Sequence, residues 1–288
     1  MMTNSTILER IETFNHNPSR DPELLQLKYD KMKENAFVFL RGSCHLFYED
    51  WSHKEWPNYS TINQAPLSWI CGDLHLENFG SYKGENRLTY FDINDFDESV
   101  LAPCTFDVTR LITSLFLAVD EIKSFSADPL ALATLFLNIY TTGLGNGKAH
   151  WIERDTAEGL VEGLLNEVQD KNRAKFLDKK APINDKNVRK IEIKQDKTRP
   201  VTSETFNNVK TALQKFAESQ ENPEFFEVID IVWRIAGTGS LSLKRYLVLV
   251  EGKGSPNDNY LLDLKQSSPP SLTKFISYFS QSKWNDES

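Results

Sequence analysis

The stretch GDLHLENFG, residues 72–80, places an acid, an imidazole and an amide within six residues. It follows LSWIC, an apolar run typical of a short strand, so a loop is expected where that strand ends. A second polar group, FDINDFDE, comes at residues 91–98. Each group alone is typical of a polar turn or a solvated acidic loop, so their order and spacing carry the functional information.

Asp73, Asn78 and Asp95 have the spacing of a phosphoryl-transfer site. Asn78 lies five residues after Asp73, as the Asn of a kinase catalytic loop follows the Asp that accepts the substrate's hydroxyl proton. Asp95 begins Asp-Phe-Asp, which differs from the kinase Asp-Phe-Gly in its last residue. A hairpin strand between the two groups would carry Asp95 back beside Asn78, and their oxygens suit Mg²⁺. Asp92, on an alternating strand, is expected to point to the opposite face.

A segment late in the chain supplies a second set of candidates. GTGS, residues 237–240, lies between two predicted strands, so the backbone at Gly237, Gly239 and Ser240 could approach a phosphate closely. The last predicted strand ends in Lys265, as the strand that carries the kinase lysine would. A plain hairpin turn is the alternative for GTGS, and the sequence leaves it open.

Four nearby residues are weaker candidates. Asp107 is expected to cap the helix that begins beside it, and Arg110 follows on that helix. Arg41, next to a glycine, is a candidate phosphate contact. His75 is expected to be a hydrogen-bonded loop residue, and the other four histidines have no metal-binding spacing.

Periodicity along the chain predicts an α+β protein. FVFL (37–40), LSWIC (67–71) and LTYFDI (88–93) are predicted strands, the last two paired with each other. Apolar residues at helical spacing begin at Phe106, and Asp128-Pro129 predicts the start of another helix.

The later half changes character twice. The charged stretch 170–200 is expected to be a solvated loop or linker, and strand patterns follow after residue 228. We therefore expect a mainly helical lobe over residues 1–220, which holds the catalytic and metal loops, and a β-rich nucleotide lobe over residues 221–288.

Composition limits the classes of partner. The chain has 288 residues, 40% of them hydrophobic, and a formal net charge of −8. Nucleic acids and anionic lipids require positive charge, so no nucleic-acid or membrane partner is expected. Three cysteines without paired spacing and a polar beginning without a signal-peptide pattern predict a cytoplasmic protein. The sequence leaves the oligomeric state open.

Two resemblances rest on these motifs. GDLHLEN followed by INDFDE resembles the catalytic and metal motifs of aminoglycoside phosphotransferases and choline kinases, the small-molecule branch of the protein-kinase-like fold. From about Leu24 to Ser271 the chain also resembles a bacterial family of uncharacterised proteins, a domain of unknown function near those kinases. The stretches that carry this second resemblance are FLRGS, GDLHLENFG, FDINDFDES, TFDVTRL, IAGTGSLSLKRYLVLVEG and YLLDLKQ.

The resemblance assigns a role to each candidate. It implies that Asp73 is the catalytic base and that Asn78 and Asp95 bind Mg²⁺. It further implies ATP, or another nucleoside triphosphate, as the second cofactor. The residues that would hold the nucleotide are Gly237, Gly239, Ser240 and Lys265. The acceptor of the phosphate is not implied.

The sequence also departs from the kinase pattern. In kinases the Gly-rich loop and the lysine precede the catalytic loop, whereas here they follow it, so either the fold is circularly permuted or the late β unit has another role. Gln266 stands where the family has an acid, and the family extends beyond the last residue of this chain. The segment after Lys265, SLTKFISYFSQSKW, has no acid to hold that lysine, which predicts weak ATP binding.

Three functions are consistent with these observations. The first is a Mg²⁺-dependent phosphotransferase that moves the ATP γ-phosphate to a hydroxyl of a small molecule or protein. The second is a kinase-like scaffold that binds without catalysis. The third is a metal-dependent phosphoesterase, suggested by Asp73-Leu74-His75, although the further metal motifs of such enzymes are missing from the sequence.

Overall fold

Helices and small antiparallel sheets make up the α+β fold that the periodicity predicts. A computed structural model describes residues 6–17, 20–52, 62–121 and 128–275. The chain divides into two compact units: the first holds Met1–Pro18, Gln26–Gln169 and Ser267–Ser288, and the second holds Ser19–Leu25 and Asp170–Gln266. The boundary expected after residue 220 thus lies inside the second unit.

Helices dominate the part of the chain before residue 170. Their bounds are α1 Ile7–Asn15, α2 Pro22–Met32, α3 Ala36–Gly42, α4 Cys44–Trp51, α5 Thr105–Glu121, α6 Pro129–Gly145 and α7 Gly159–Gln169. The helices predicted from Phe106 and from Asp128-Pro129 are confirmed as α5 and α6. Asp128 caps α6 by accepting the backbone N–H of Leu130.

The predicted strand FVFL was wrong, because these residues lie in helix α3. The side chain of Asn35 accepts the N–H of Val38 and caps the helix. Phe37 and Leu40 are both buried, and their spacing of three residues puts them on one face of the helix. Four consecutive apolar residues are compatible with a strand or a helix, and here the Asn35 cap favours the helix.

Two sheets lie in the first unit. Strand β1 (Leu67–Ile70) pairs with β4 (Val100–Pro103), and β2 (Phe79–Lys83) pairs with β3 (Thr89–Ile93). The predicted pairing of LSWIC with LTYFDI was therefore wrong. The end of GDLHLENFG is itself strand, and the short turn after β2 makes it the antiparallel partner of β3. A two-residue strand, β5 (Ile152–Glu153), extends this sheet on the other side of β3.

A core of apolar side chains lies behind the loop that follows β1. Its fully buried members include Tyr48 of α4, Val100 of β4 and Phe106 of α5. Leu272, in a 3-10 turn at Ser271–Lys274, packs into the same cluster. The segment near the end of the described chain thus takes part in the first unit's core.

The second unit is built on a four-stranded antiparallel sheet in the order β6-β7-β8-β9. Its elements are α8 Arg173–Lys180, β6 Thr198–Pro200, α9 Ser203–Ala217, β7 Val228–Arg234, β8 Arg245–Val250 and β9 Tyr260–Lys265. Two clusters pack on this sheet, one containing Leu177 of α8 and the other Val209 and Leu213 of α9.

The charged stretch 170–200 is more ordered than the sequence predicted. It contains α8, β6 and three buried side chains of one cluster, Leu177, Ala181 and Ile191. A few apolar residues among many charges are enough to attach the segment to the sheet.

Within the described ranges, no helix is both long and apolar enough to cross a membrane.

Candidate functional site

The loop after β1 begins with a glycine that no other residue can replace without strain. Gly72 has φ +82°, in the left-handed region. A Cβ at this position would lie 2.0 Å from the backbone oxygen of Glu98. The close approach holds the chain on either side of Asp73 against the acidic loop.

One face of α5 binds the backbone of this loop. The carboxylate of Asp107 accepts the N–H of Cys71 at 2.7 Å and that of Gly72 at 3.0 Å. Two turns further along, Ser114 accepts the N–H of Leu76 at 3.2 Å. Asp107 was expected to cap its own helix. Instead, its two oxygens accept hydrogen bonds from loop residues that lie 35 and 36 positions earlier in the chain.

Arg110, on the same face of α5, forms an ion pair with Asp73. Its Nε donates to Oδ1 of Asp73 at 2.6 Å, and its Nη2 donates to the carbonyl of Leu40 at 2.9 Å. The Arg110 side chain is fully buried, while Asp73 keeps 24% of its side chain exposed. Both contacts from Arg110 to Asp73 are made to Oδ1. The exposed part of the carboxylate is the part available to a ligand.

Electrostatics around this pair act in opposite directions. Burial raises the pKa of Asp73 above its ordinary value, Arg110 opposes the rise, and Asp95 adds to it. Burial alone would lower the pKa of Arg110, but Asp73, Cys44 and Tyr48 together outweigh this effect and the pKa is raised. The guanidinium is therefore charged at every accessible pH.

Asn78 closes a 3-10 turn at Leu76–Asn78. Its Oδ1 accepts the N–H of His75 at 2.8 Å, and Nδ1 of His75 accepts the N–H of Glu77 at 3.2 Å. Asn78 is 3% exposed. The expectation that His75 is a hydrogen-bonded loop residue is thus met. Burial, together with the positive charges of Arg41 and Arg110, lowers the pKa of His75 to about 3, so the imidazole is neutral.

The hairpin of β2 and β3 returns the chain to Asn78. Phe79 pairs with Ile93, and the N–H of Asn94 donates to the carbonyl of Asn78 at 3.0 Å. Asp95, the next residue, is exposed and accepts the N–H of Asp97 at 3.4 Å. Its negative charge raises the pKa of Asp73. The two predicted metal ligands and the predicted base thus lie in one region of the first unit.

Sequence reasoning missed Glu98 altogether. Its carboxylate accepts hydrogen bonds from the backbone N–H and the hydroxyl of Ser271, the latter at 3.1 Å. Burial raises the pKa of Glu98 to about 7, and Asp73 adds to the rise. Only the acidic run at residues 91–98 could have indicated it, and that run does not reveal which acid is buried.

Arg41 contacts an acid rather than open space. Its guanidinium forms an ion pair with Glu77, which lies inside the GDLHLENFG stretch. The side chain of Arg41 keeps 22% of its surface exposed. A phosphate contact at Arg41 would therefore compete with Glu77.

In the second unit, GTGS belongs to a connection of ten residues between β7 and β8 rather than to a tight hairpin turn. Gly237 has φ +74°, and a Cβ there would lie 2.9 Å from the hydroxyl of Ser240. A side chain at residue 237 would therefore disturb the loop, which is the behaviour expected of a loop that presents its backbone.

Lys265 ends β9 directly opposite Arg245 of β8. Arg245 forms a two-point contact with Asp263, which also pairs with Arg234 at 2.6 Å. The side chain of Gln266 accepts the N–H of Lys244 at 3.2 Å, and its N–H donates to the carbonyl of Lys244 at 2.7 Å, which extends the pairing of the two strands.

Gly237, Gly239, Ser240 and Lys265 all belong to the second unit, whereas Asp73, Asn78 and Asp95 belong to the first. A facing arrangement of the two sets stays a prediction. Most of SLTKFISYFSQSKW lies outside the described residues. In the part of the chain that the structure describes, no group of three or more His, Cys, Asp or Glu side chains is placed to hold a metal ion.

Comparison with known proteins identifies the family. Residues 20–288 match DUF2252, a family of uncharacterised proteins conserved in bacteria, and the chain belongs to it. No curated protein and no solved structure matches the chain.

Proposed function

We propose that this member of the DUF2252 family is a Mg²⁺-dependent phosphotransferase that moves the γ-phosphate of ATP to a hydroxyl group. One observation carries the proposal. The N–H of Asn94 donates to the carbonyl of Asn78 at 3.0 Å, one residue before Asp95, and the charge of Asp95 raises the pKa of Asp73. A carboxylate, an amide and a second carboxylate in this order are the parts that phosphoryl transfer uses.

Asp73 would accept the proton of the attacking hydroxyl. The ion pair with Arg110 fixes the orientation of its carboxylate through Oδ1, and 24% of the side chain remains exposed for an acceptor. Orientation matters because a base must lie within hydrogen-bonding distance of the proton that it takes. Asp107 contributes indirectly, since it holds the two residues before Asp73 through their N–H groups.

Asn78 and Asp95 would hold the Mg²⁺ ion. Both offer hard oxygen atoms, and Asp95 is exposed. The Oδ1 atom of Asn78 accepts one hydrogen bond from His75, which uses one of its two lone pairs. Two protein ligands suffice, because Mg²⁺ keeps several waters and binds substrate phosphates. When bound, the ion would offset the negative charge of the transferred phosphate.

The second unit would hold the nucleotide. The left-handed conformation of Gly237 and the steric limit at its Cβ position support a backbone cradle that includes Gly239 and Ser240. Lys265 would contact the phosphates from the end of β9. This assignment depends on the resemblance and on the connection at GTGS, and it is separate from the assignment of Asp73.

A kinase-like scaffold without catalysis is the second candidate. Two observations favour it: Asp73 is bound by the buried Arg110, and Oδ1 of Asn78 is bound by the backbone of His75. Both groups have a structural use already, which a non-catalytic relative would retain.

Calorimetric titration of ATP, with and without Mg²⁺, tests the proposal. We expect Mg²⁺-dependent binding that Asp95→Ala abolishes and Asp92→Ala preserves, since Asp92 is equally exposed but lies on β3 three residues earlier. Unchanged Mg²⁺-dependent affinity in Asp95→Ala would remove Asp95 from the site. Assays of ADP formation separate the two candidates: binding without turnover supports the scaffold.

A further inference from the structure

The charged stretch 170–200 carries a net charge opposite to that of the whole chain. It contains 11 Lys and Arg residues against five Asp and Glu, whereas the rest of the chain has 22 Lys and Arg against 36 Asp and Glu. A charge of +6 over 31 residues therefore lies in a protein with a net charge of −8. Because charges beyond ~8 Å are largely screened at physiological ionic strength, a partner that touches this stretch meets a positive surface.

Most of this positive charge is available to a partner. Eight lysines of the stretch are exposed: Lys171, Lys175, Lys179, Lys180, Lys186, Lys190, Lys194 and Lys197. Lys194 pairs with Glu192 at 2.7 Å, and the other seven form no ion pair with the described residues. Two of the three arginines, in contrast, are used within the chain, because Arg189 pairs with Asp178 and Arg173 lies over an aromatic ring. The exposed cations are therefore lysines.

Residues 180–192 form an antiparallel ribbon. The N–H of Glu192 donates to the carbonyl of Lys180 at 2.9 Å, and the N–H of Asn184 donates to the carbonyl of Val188 at 2.9 Å. Side chains along each segment of such a ribbon alternate between its two faces. One face of the ribbon is therefore made of the odd-numbered residues and the other of the even-numbered ones.

The odd-numbered face packs against the sheet of the second unit. Ala181 and Ile191 are buried in one cluster with Leu177 of α8, and this cluster lies on the face of the sheet opposite to α9. Lys190 and Val188, on the even-numbered face, are exposed. The outer sides of α8 and of the ribbon are therefore directed away from the same face of the sheet.

Apolar side chains are exposed among these lysines. They are Phe176 (47% exposed), Ile183 (40%), Val188 (46%) and Ile193 (44%). Phe176 lies one turn before Lys180 on α8, and Val188 shares the outer face of the ribbon with Lys190. Three of the four are aliphatic. The surface thus combines lysines with aliphatic groups that would gain free energy by leaving water.

We propose that the charged stretch 170–200 binds the surface of a bilayer that contains anionic lipids. The lysines would lie against the headgroups, and Val188 and Phe176 would enter the boundary with the acyl chains. The proposal does not depend on the phosphotransferase assignment. The expectation of no membrane partner rests on the charge of the whole chain, which does not describe this surface.

The composition of the surface favours a bilayer over nucleic acid. Lysine is a point charge without the planar fork with which arginine recognises a base or a phosphate. Bases stack on aromatic side chains, and Phe176 is the one exposed aromatic residue of the stretch. Exposed aliphatic side chains gain nothing from a phosphate backbone, whereas they gain from contact with acyl chains.

Co-sedimentation of the full chain with vesicles tests the proposal. A lysine near an anionic surface strengthens binding about fivefold, so four of them give an affinity on the order of 10³ M⁻¹. We expect half of the protein to bind at about 1 mM lipid when phosphatidylcholine vesicles contain about 30% phosphatidylglycerol, and none to bind phosphatidylcholine alone. Raising the salt from ~0.1 M to ~1 M shortens the Debye length from about 10 Å to about 3 Å and should release most of the protein. Absence of binding to the anionic vesicles, or equal binding to both kinds, overturns the proposal.

A triple variant locates the surface. Lys179→Gln, Lys180→Gln and Lys190→Gln together should weaken binding to the anionic vesicles about 100-fold. The matched control carries the same change at three exposed lysines outside the stretch: Lys33, Lys148 and Lys215. It should bind like the wild type. All six positions are exposed, so both variants should keep the unfolding midpoint of the wild type in urea. Equal affinity of the two variants overturns the proposal.

Val188→Ser tests the aliphatic contribution. It keeps every charge but removes apolar surface from the ribbon, so we expect an approximately fivefold loss of affinity for the anionic vesicles. The control is Leu160→Ser on α7, at a leucine that is 95% exposed outside the stretch, and it should bind like the wild type. Unchanged affinity in Val188→Ser would overturn the insertion of this side chain.

Nucleic acid is the competing partner for a basic surface. Fluorescence anisotropy with labelled single-stranded and duplex oligonucleotides, at the salt concentration of the vesicle experiment, measures it. We expect weaker binding than to the anionic vesicles. Oligonucleotide binding that the triple variant abolishes, without vesicle binding, would assign the surface to nucleic acid and overturn the proposal.

Discussion

Helices α5 and α6 are consecutive, and each has 17 residues, yet α5 buries polar side chains whereas α6 exposes apolar ones. Helix α5 buries Arg110 and Ser114 completely and aims them at the loop that carries Asp73. Helix α6 has no charged side chain and leaves leucines in solvent. Burying polar groups and exposing apolar groups both cost free energy. Each arrangement therefore marks a region with a specific role in the molecule.

The two costs are compensated differently. Asp107, Arg110 and Ser114 of α5 each have hydrogen-bond partners on the loop or on Leu40, and only Nη1 of Arg110 lacks one among the described residues. Several leucines of α6 stay exposed to solvent within the described residues, so packing inside the chain does not compensate them. Hydrogen bonding inside the chain thus accounts for the polar face of the first helix, whereas the apolar surface of the second is left in solvent.

Replacing Arg110 should have the largest effect. Arg110→Met keeps much of the volume but leaves the Asp73 carboxylate without its ion-pair partner and the carbonyl of Leu40 with only the N–H of Ser43 as a donor. Removing one member of a buried pair typically costs ~3–5 kcal/mol, so we expect a loss of that size in the free energy of unfolding of the first unit, measured by urea denaturation. A loss below ~1 kcal/mol would mean that α5 does not depend on its polar face.

Asp73→Asn should come next, with its effect on activity. It retains an oxygen for Arg110 but removes the proton acceptor, so we expect ADP formation to fall by ~10²–10⁴ while ATP binding by calorimetry persists. The matched control is Asp92→Asn, an acid of the same hairpin outside the site, and it should keep full activity. Equal rates in wild type and Asp73→Asn would exclude Asp73 as the base.

Glu98→Gln should change the pH dependence of stability. A carboxyl with an ordinary pKa of 4.5 and a folded pKa of about 7 binds more protons in the folded state between these values. Stability from this group therefore falls as pH rises from 4.5 to 7. The groups that face it are Asp73, Arg110, Cys44 and Tyr48.

The measurement is urea denaturation of both proteins between pH 4.5 and 7.5. The difference in unfolding free energy, variant minus wild type, should increase with pH over this range. His75, whose pKa is lowered, contributes in the opposite direction, but it does so in both proteins and cancels in the difference. A difference that stays constant with pH would mean that Glu98 titrates near its ordinary value.

The smallest effect is expected from Leu135→Gln on α6. This leucine is 55% exposed, so its replacement should change the free energy of unfolding by no more than ~0.5 kcal/mol. Urea denaturation of the variant and the wild type provides the value. A loss comparable to that of Arg110→Met would mean that α6 packs inside the chain, and the contrast between the two helices would disappear.

Local signals allowed much of the fold to be predicted. Periodicity identified α5, Asp128-Pro129 marked the start of α6, and polar turns bounded the hairpin. The strand predicted at FVFL failed because the deciding group, the Asn35 cap, lies just outside the apolar run. Burial in the segment 170–200 depends on single residues such as Leu177, which composition averages conceal.

The candidate site was predictable only where its residues are close in sequence. Asp73 and Asn78 share one turn, and a short hairpin returns the chain at Asp95. Arg110 acts across 37 residues and looks like any helical arginine, so nothing local reveals its partner. Glu98 is bound by Ser271 across 173 residues. Contacts over such sequence distances arise from tertiary packing, so no local spacing of residues in the sequence predicts them.

The spacing of Asp107, Arg110 and Ser114 makes the length of α5 a fixed quantity. Each residue added to or deleted from a helix rotates everything beyond it by about 100°. A single insertion between Asp107 and Ser114 would therefore leave the first contact in place and turn the other onto the wrong side. Homologues can exchange side chains along this helix, but we expect insertions and deletions to be absent between these two positions. An aligned set of family members would reveal a block of constant length there, flanked by loops of variable length.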